Sequence, residues 1–213
     1  EFRRVLFRSM TNKTLITILI VALILFNAYL LVTNISNKNE STEYENFDQT
    51  ITDYILEHQG ISDYMLQNDG FSLDSIAVVD LENNSIDFNQ LLKNHGNNIL
   101  VCRTSQYNCE SCNDYAIQKL VVLCKENPEI QVVLLGYYDS IRSMRIVRDN
   151  HNPPSNMHYY QLLDYSLPIE AAGVPYYFAV DNSLEVEDLF VPNKAYPKLT
   201  DHYIEMILQK RFT

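Results

Sequence analysis

Along the chain the apolar positions change period several times, and each change predicts an element. Leu15 to Val32 is apolar except at Thr17 and Asn27. As a helix rising about 1.5 Å per residue it spans roughly 27 Å, close to the hydrocarbon thickness of a bilayer. The run exceeds the apolar region of a usual cleaved signal, and no small-x-small cleavage site follows it. An uncleaved N-terminal membrane anchor over residues 10–32 is therefore expected. Asn34 to Ser41 is polar and reads as a tether. Tyr44, Phe47, Ile51, Tyr54 and Ile55 then recur on one helical face, part of an amphipathic stretch over Glu43–Gln67 broken or bent at Gly60. The pattern is too short for a coiled coil and predicts a helical stalk packed on the domain that follows.

From Ser75 the texture changes. Ile76–Asp80 and Ser85–Phe88 read as a hairpin around Glu82-Asn83-Asn84. Asn89 to Asn94 reads as a short helix ended by Gly96, and Ile99–Arg103 as a buried strand. Over 109–126, Tyr115, Ile117, Leu120, Val121 and Cys124 form one helical face, with Pro128 just beyond its end. Ile130–Tyr138 is the most strand-like run in the chain, followed by a helix from Ser140 to Arg148 and a Pro153-Pro154 loop. The remainder reads as a strand (Tyr159–Leu163), a short helix (Pro168–Ala172) closed by Gly173, and an antiparallel pair (Tyr176–Val180 and Val186–Val191). A last helix covers Pro197 to Lys210. Strands alternating with helices and ending in a hairpin predict an α/β domain, a mixed central sheet covered on both faces, over residues 71–213.

Composition narrows the function. The formal net charge of -11 argues against a nucleic-acid binder, which needs a basic face. Residues 1–9, EFRRVLFRS, look like the translation of a sequencing-library adapter, and Met10 is the expected start. Without Glu1, Arg3, Arg4 and Arg8 the acidic excess grows. Lys13 before the apolar span is balanced by Lys38 after it, so orientation rests on the short N-terminal flank, which favours residues 33–213 lying outside the cytoplasm.

Four cysteines are too few for a disulfide scaffold but allow one catalytic or metal-binding pair. Cys109-Glu110-Ser111-Cys112 has the CxxC spacing, which alone is only suggestive. Its position adds weight, because a buried strand ends, a loop intervenes and a helix begins there. Unsatisfied N–H groups and the macrodipole at a helix start stabilise an anion, which lowers the pKa of the first thiol and makes it the nucleophile. Cys112, one turn on and less exposed, is placed to resolve a mixed disulfide. The competing reading is a zinc site of Cys102, Cys109, Cys112 and Cys124. Cys124 lies about 18 Å from Cys112 along a continuous helix, too far for a shared tetrahedron. Cys102 could join only by loop folding, and His95, His151 and His158 stand at no ligand spacing. Cys102 and Cys124 read as buried small hydrophobes.

With Gly173-Val174-Pro175-Tyr176 heading the next-to-last strand, the order of elements resembles the thioredoxin fold. The hairpin and the insert before Val174-Pro175 are similar to its membrane-anchored TlpA/ResA-like redoxin branch. The resemblance covers about residues 70–213, and VPYYFAVDNSLEVEDLFVP is its most specific part. It implies Cys109 as attacking cysteine, Cys112 as resolving cysteine and Pro175 as a cis-proline facing the disulfide. Val174 would pair its backbone with an extended partner chain, a form of strand addition. A cis bond occurs at about 5–6% of X–Pro positions, so this expectation rests on the resemblance. The implied activity is extracytoplasmic thiol–disulfide exchange with protein dithiol or disulfide partners, needing no bound cofactor and supplied with electrons by another thiol carrier. The alternative is a redox-inactive binding module for a partner protein or a metal such as copper.

The chain departs from the family pattern in ways that bear on direction. Asn108 stands where a Trp is usual, with Tyr107 the nearest aromatic, and no Pro lies between the cysteines. Glu110 puts a negative charge beside the thiolate, raising its pKa and favouring a reductase over an oxidase. An Arg103 pointing at the site would partly cancel it. Arg142, Arg145 and Arg148, three apart on one helix, read as a solvated face in preference to a docking patch. One tyrosine of each pair at 137–138, 159–160 and 176–177 is expected to face outward, with Tyr176 and Tyr177 near enough to Pro175 to line a partner groove.

Overall fold

The computed structural model describes residues 22–30, 51–54, 61, 63, 67–68, 70–74, 76–162 and 167–212. The chain divides into two compact units, Glu1–Asp53 and Tyr54–Thr213. In the first, residues 22–30 are helical, and among the described residues no helix is long and apolar enough to cross a membrane. Residues 1–9, the rest of the Leu15–Val32 run and the Asn34–Ser41 tether lie outside the described residues. Of the expected stalk, residues 51–54, 61, 63 and 67–68 are helical and the others lie outside the described set. Tyr54 is buried in the second unit. Its hydroxyl donates to the Val191 carbonyl at 3.0 Å, and its ring packs on Phe190 and edge-on to Tyr196.

The second unit is built on a seven-stranded sheet of order β2-β1-β5-β4-β3-β6-β7. The strands are β1 (Ala77–Val79), β2 (Ser85–Asp87), β3 (Ile99–Ser105), β4 (Val132–Tyr137), β5 (Met157–Gln161), β6 (Tyr176–Val180) and β7 (Glu187–Phe190). The central three, β3, β4 and β5, run parallel, and the hairpins at either edge pair antiparallel. The helices are α1 (Phe88–His95), α2 (Glu110–Glu126), α3 (Ile141–His151) and α4 (Pro197–Arg211), with a 3-10 turn at Pro168–Ala172. The element order and the mixed, doubly covered sheet are those expected, and they fit a thioredoxin-like α/β fold.

Local chemistry explains the starts. The Asp87 carboxylate accepts from Gln90 N and caps α1, Ser140 Oγ accepts from Ser143 N and caps α3, and Pro197 opens α4 where its missing N–H costs nothing. Strand ends moved from their sequence positions because ladder pairing decides them. β3 runs two residues past Arg103, since Thr104 and Ser105 still pair with Gly136 and Tyr137 of β4. β5 begins at Met157, opposite Val132.

Period-two alternation sorts the core into two layers. Leu100, Cys102, Leu134, Tyr159, Tyr177 and Ala179 face α2, together with Met144 of α3 and Tyr203 and Ile207 of α4. Their strand neighbours Val101, Val133, Leu135, Tyr160, Tyr176 and Phe178 face Phe88 and Leu91 of α1 and Ile169 of the 3-10 turn. Each fully buried large side chain contributes about 1.5–3 kcal/mol. Covering both faces overturns one expectation: Tyr176 and Tyr177 point to opposite sides of β6, yet both are buried, as are Tyr159 and Tyr160. A Cβ at Gly136 would stand 2.5 Å from the sulfur of Met144, so the Met144 side chain would have to shift to admit one. On α3, Arg145 donates to the Leu81 carbonyl and Arg148 pairs with Asp149, while Arg142 is exposed.

Candidate functional site

The C-terminal end of β3 organises the site through Ser105. Its carbonyl accepts from Asn108 N at 3.1 Å and from Asn113 Nδ2 at 2.8 Å, and its hydroxyl accepts from Tyr107 N. Asn113, nearly buried in the first turn of α2, thus ties that turn to the strand end. Gln106 extends the ladder by donating to the Tyr137 carbonyl, and its side-chain oxygen accepts from Asp139 N. Helix α2 begins where a short, doubly anchored loop delivers it.

Cys109 is the residue immediately before α2. Its carbonyl accepts from the N–H groups of Cys112 and Asn113, both at 3.0 Å, while its side chain makes no capping hydrogen bond. The first-turn N–H groups therefore keep their field at the sulfur, which favours a thiolate there when the pair is reduced. Cys109 is exposed and Cys112 half-buried, and the two are joined as a disulfide with Cα atoms 5.1 Å apart. Ser111 Oγ lies 3.4 Å from Cys109 Sγ and accepts from Lys194 Nζ at 2.6 Å. Glu110 is exposed in the first turn.

The other two thiols are built differently. Cys102 and Cys124 are buried in the apolar layer between the sheet and α2. Burial pushes the Cys102 thiol far above its ordinary range, against the pull of the Arg103 charge, and pushes Cys124 up to about 12. Among the described residues no group of three or more His, Cys, Asp or Glu side chains is arranged to hold a metal ion.

Arg103 does not serve the cysteine pair. It points to the face opposite Cys102 and is buried, with Nε 2.7 Å from Glu170 Oε1 and Nη2 3.3 Å from Oε2. Its Nη1 donates to the carbonyls of Thr104 and Leu135, and the guanidinium lies 5.8 Å from the Tyr137 ring centroid. Tyr176 donates its hydroxyl to Glu170 Oε1 at 3.0 Å. Glu170 and Lys194 are the two site residues that sequence reasoning missed. They lie 67 residues from Arg103 and 83 from Ser111, and no periodicity links positions so far apart.

The Arg103–Glu170 pair forms one wall of a cavity of about 150 Å³, which Tyr107, Asn108, Tyr137 and Val174 also line. Tyr176 reaches this cavity, whereas Tyr177 points away to donate to the Ala116 carbonyl. Gly173 takes a left-handed conformation, φ +63°, to close the 3-10 turn and send the chain into β6. The expectation of a cis Val174–Pro175 bond is corrected here: the bond is trans. Trans is the lower-energy isomer by about 0.5–1 kcal/mol, and the turn at Gly173 redirects the chain without the other. Pro175 is buried at the head of β6. The β3–β6 ladder ends at Arg103 and Tyr176, so Val174 stands outside it, half-buried beside Tyr107 and Asn108.

Neither a family model nor a curated protein matches the sequence. Solved structures resemble it weakly. DsbF from MTB, in mixed oxidised and reduced forms, is 19% identical with a TM-score of 0.43, covering 63% of this chain and 96% of its own. A secreted Mycobacterium tuberculosis disulfide oxidoreductase homologous to E. coli DsbE is 14% identical with a TM-score of 0.43, covering 61% and 94%. The thioredoxin domain of a thiol-disulfide oxidoreductase from Bacteroides vulgatus is 12% identical with a TM-score of 0.41, covering 64% and 97%. At these identities and scores the likeness assigns neither a family nor an activity to this chain.

Proposed function

We propose that this protein exchanges dithiol for disulfide with protein partners. One observation carries the reading: an exposed Cys109 and a half-covered Cys112 are joined at the start of α2, while Cys102 and Cys124 are buried and held as neutral thiols. Exposure and thiolate stabilisation decide which cysteine reacts, and here they coincide at Cys109.

In the reducing direction the Cys109 thiolate attacks one sulfur of a partner disulfide. A Cys109–partner disulfide forms, and the other partner sulfur leaves as thiolate and takes up a proton. Cys112, losing its own proton, then attacks Cys109 Sγ and releases the second partner thiol. Two electrons pass to the partner, and the chain is left as the Cys109–Cys112 disulfide. A further thiol carrier restores the dithiol by the reverse sequence. The charge of Glu110 beside Cys109 supports a reductase over an oxidase. Val174, outside the β3–β6 ladder and beside the cavity, is the backbone we assign to partner docking, with Pro175 holding it in place. The apolar run over Leu15–Val32 supports an anchored protein whose exchange domain works outside the cytoplasm.

The test is a thiol-trapping redox titration of the full-length protein, read by mass after alkylation. Cys109 and Cys112 should titrate as one two-electron couple with Cys102 and Cys124 unchanged. A midpoint near -270 mV fits a reductase and one near -120 mV an oxidase. A Cys112→Ser variant should accumulate partners covalently bound through Cys109. A pair that never cycles, with no trapped partner, would overturn the reading in favour of a binding module.

A further inference from the structure

Lys194 lies in the loop between β7 and α4, far from α2 in sequence, yet its ammonium reaches Ser111, one of the two residues between the cysteines. The loop is fixed at both ends. Before Lys194, the buried Val191 has its carbonyl bonded by Tyr54. Around it, Asn193 closes a turn, its side-chain oxygen accepting from Ala195 N and its carbonyl from Tyr196 N, and Pro197 then opens α4.

The chemistry of the three groups fixes the direction of their hydrogen bonds. An ammonium donates and cannot accept, so Ser111 Oγ is the acceptor of the 2.6 Å contact with Lys194. A disulfide sulfur carries no hydrogen, so in the 3.4 Å contact with Cys109 Sγ the Ser111 hydroxyl is the donor. The proton on Ser111 is thereby aimed at the sulfur that becomes the nucleophile on reduction. A hydrogen bond to a thiolate is charge-assisted and stronger than one to a disulfide, so the arrangement favours the reduced, ionised Cys109.

We propose that Lys194 is a positioning residue that acts through Ser111 to stabilise the Cys109 thiolate and make the dithiol pair more oxidising. The proposal rests on the exchange reading above. Among the described residues, the charges of α2, β3 and the β7–α4 loop bear on this balance. Glu110, in the first turn of α2, opposes the thiolate, as does Asp114 one turn on, which pairs with His151 at 3.4 Å. Arg103 is committed to Glu170. Lys194, within about 6 Å of the sulfur, and the start of α2 favour the thiolate.

The experiment uses the reduced full-length protein with Lys194→Met, Lys194→Arg, Ser111→Ala and the Lys194→Met/Ser111→Ala double variant. Two quantities are read: the pH profile of Cys109 alkylation by iodoacetamide, and the two-electron midpoint of the pair. Lys194→Met and Ser111→Ala should each lower the thiolate fraction of Cys109 at pH 7 about threefold, the scale an exposed charged contact supports. The midpoint should become more reducing in step. Because the two residues act in series, the double variant should match the single ones, and Lys194→Arg should keep most of the effect. Both side chains are exposed, so the variants should melt with the wild type. Unchanged alkylation profiles in both single variants would overturn the relay, as would a double variant showing the product of the single effects. Alkylation needs no partner, so the relay is judged separately from the exchange reading, which falls if the wild-type pair fails to titrate as one couple.

Discussion

Cys112 and Cys124 stand on the same helix, twelve residues apart, and have opposite surroundings. Cys112 sits in the first turn, half-exposed and bonded to Cys109, where unsatisfied N–H groups favour negative charge. Cys124 sits in the last turns against β-strand side chains, where burial lifts its thiol to about 12. Cys102, on the strand beneath, shares that apolar layer. Four identical functional groups are thus divided by water and by the helix end into the pair proposed to react and a buried pair proposed to be inert. On that reading, reactivity belongs to the position and not to the residue type.

The strongest way to break the comparison is Cys109→Ser. Exchange with a disulfide-containing peptide should fall to the uncatalysed rate while circular dichroism stays that of the folded protein, since Cys109 supports no core contact. Retained exchange would move the chemistry to one of the other three thiols. A smaller but still large difference is expected from timed alkylation of the reduced native protein. Cys124 should be labelled at least about a thousandfold more slowly than Cys109, because a thiol near 12 is hardly ionised at neutral pH. Mass spectra showing Cys102 or Cys124 labelled alongside Cys109 would contradict the division.

Cys102→Ser sharpens the contrast from the other side. A hydroxyl at that fully buried apolar position should cost about 1–3 kcal/mol of stability, seen as a lowered Tm. The midpoint of the Cys109–Cys112 couple should stay where it was, and a shift would show that the inert pair takes part.

The smallest effect separates acid stability from thiol chemistry. His158 stacks on His95 with ring centroids 3.7 Å apart, and its Nε2 lies 2.9 Å from Gln131 Oε1. Burial, with the neighbouring His95 charge, lowers its pKa from 6.5 to about 4. Between those values the unfolded chain binds a proton that the folded chain refuses, so stability is full above pH 6.5 and declines as pH falls toward 4. His158→Gln should flatten Tm over that window and leave the alkylation profile of Cys109 untouched.

Much of the architecture was legible because the sheet is covered on both faces and each strand is a compact apolar run. Ile99–Arg103 and Tyr176–Val180 were readable for that reason, while the short helix at Pro168–Ala172 was readable from its closing Gly173 and the CxxC pair from its place at a helix start. Strand ends were less so, because the pairing of Met157 with Val132 or Ser105 with Tyr137 depends on a neighbour that the run itself does not contain. The outward tyrosine predicted at 176–177 failed for the same reason: alternation assigns faces, but not what covers them. The isomer of Val174–Pro175 was taken from a resemblance, and the local turn at Gly173 gave the other answer.

By itself the sequence determined the order of elements, the mixed sheet and the placement of the CxxC pair at a helix start. These follow from periodicity, breakers and the short-range field of a helix end, all of which act within a few residues. The tertiary structure decided that Arg103 is bound to Glu170, that Lys194 reaches Ser111, and that two thiols are removed from water. Each of those depends on side chains brought together from distant parts of the chain, and a contact between distant segments exists only once the sheet has set its register.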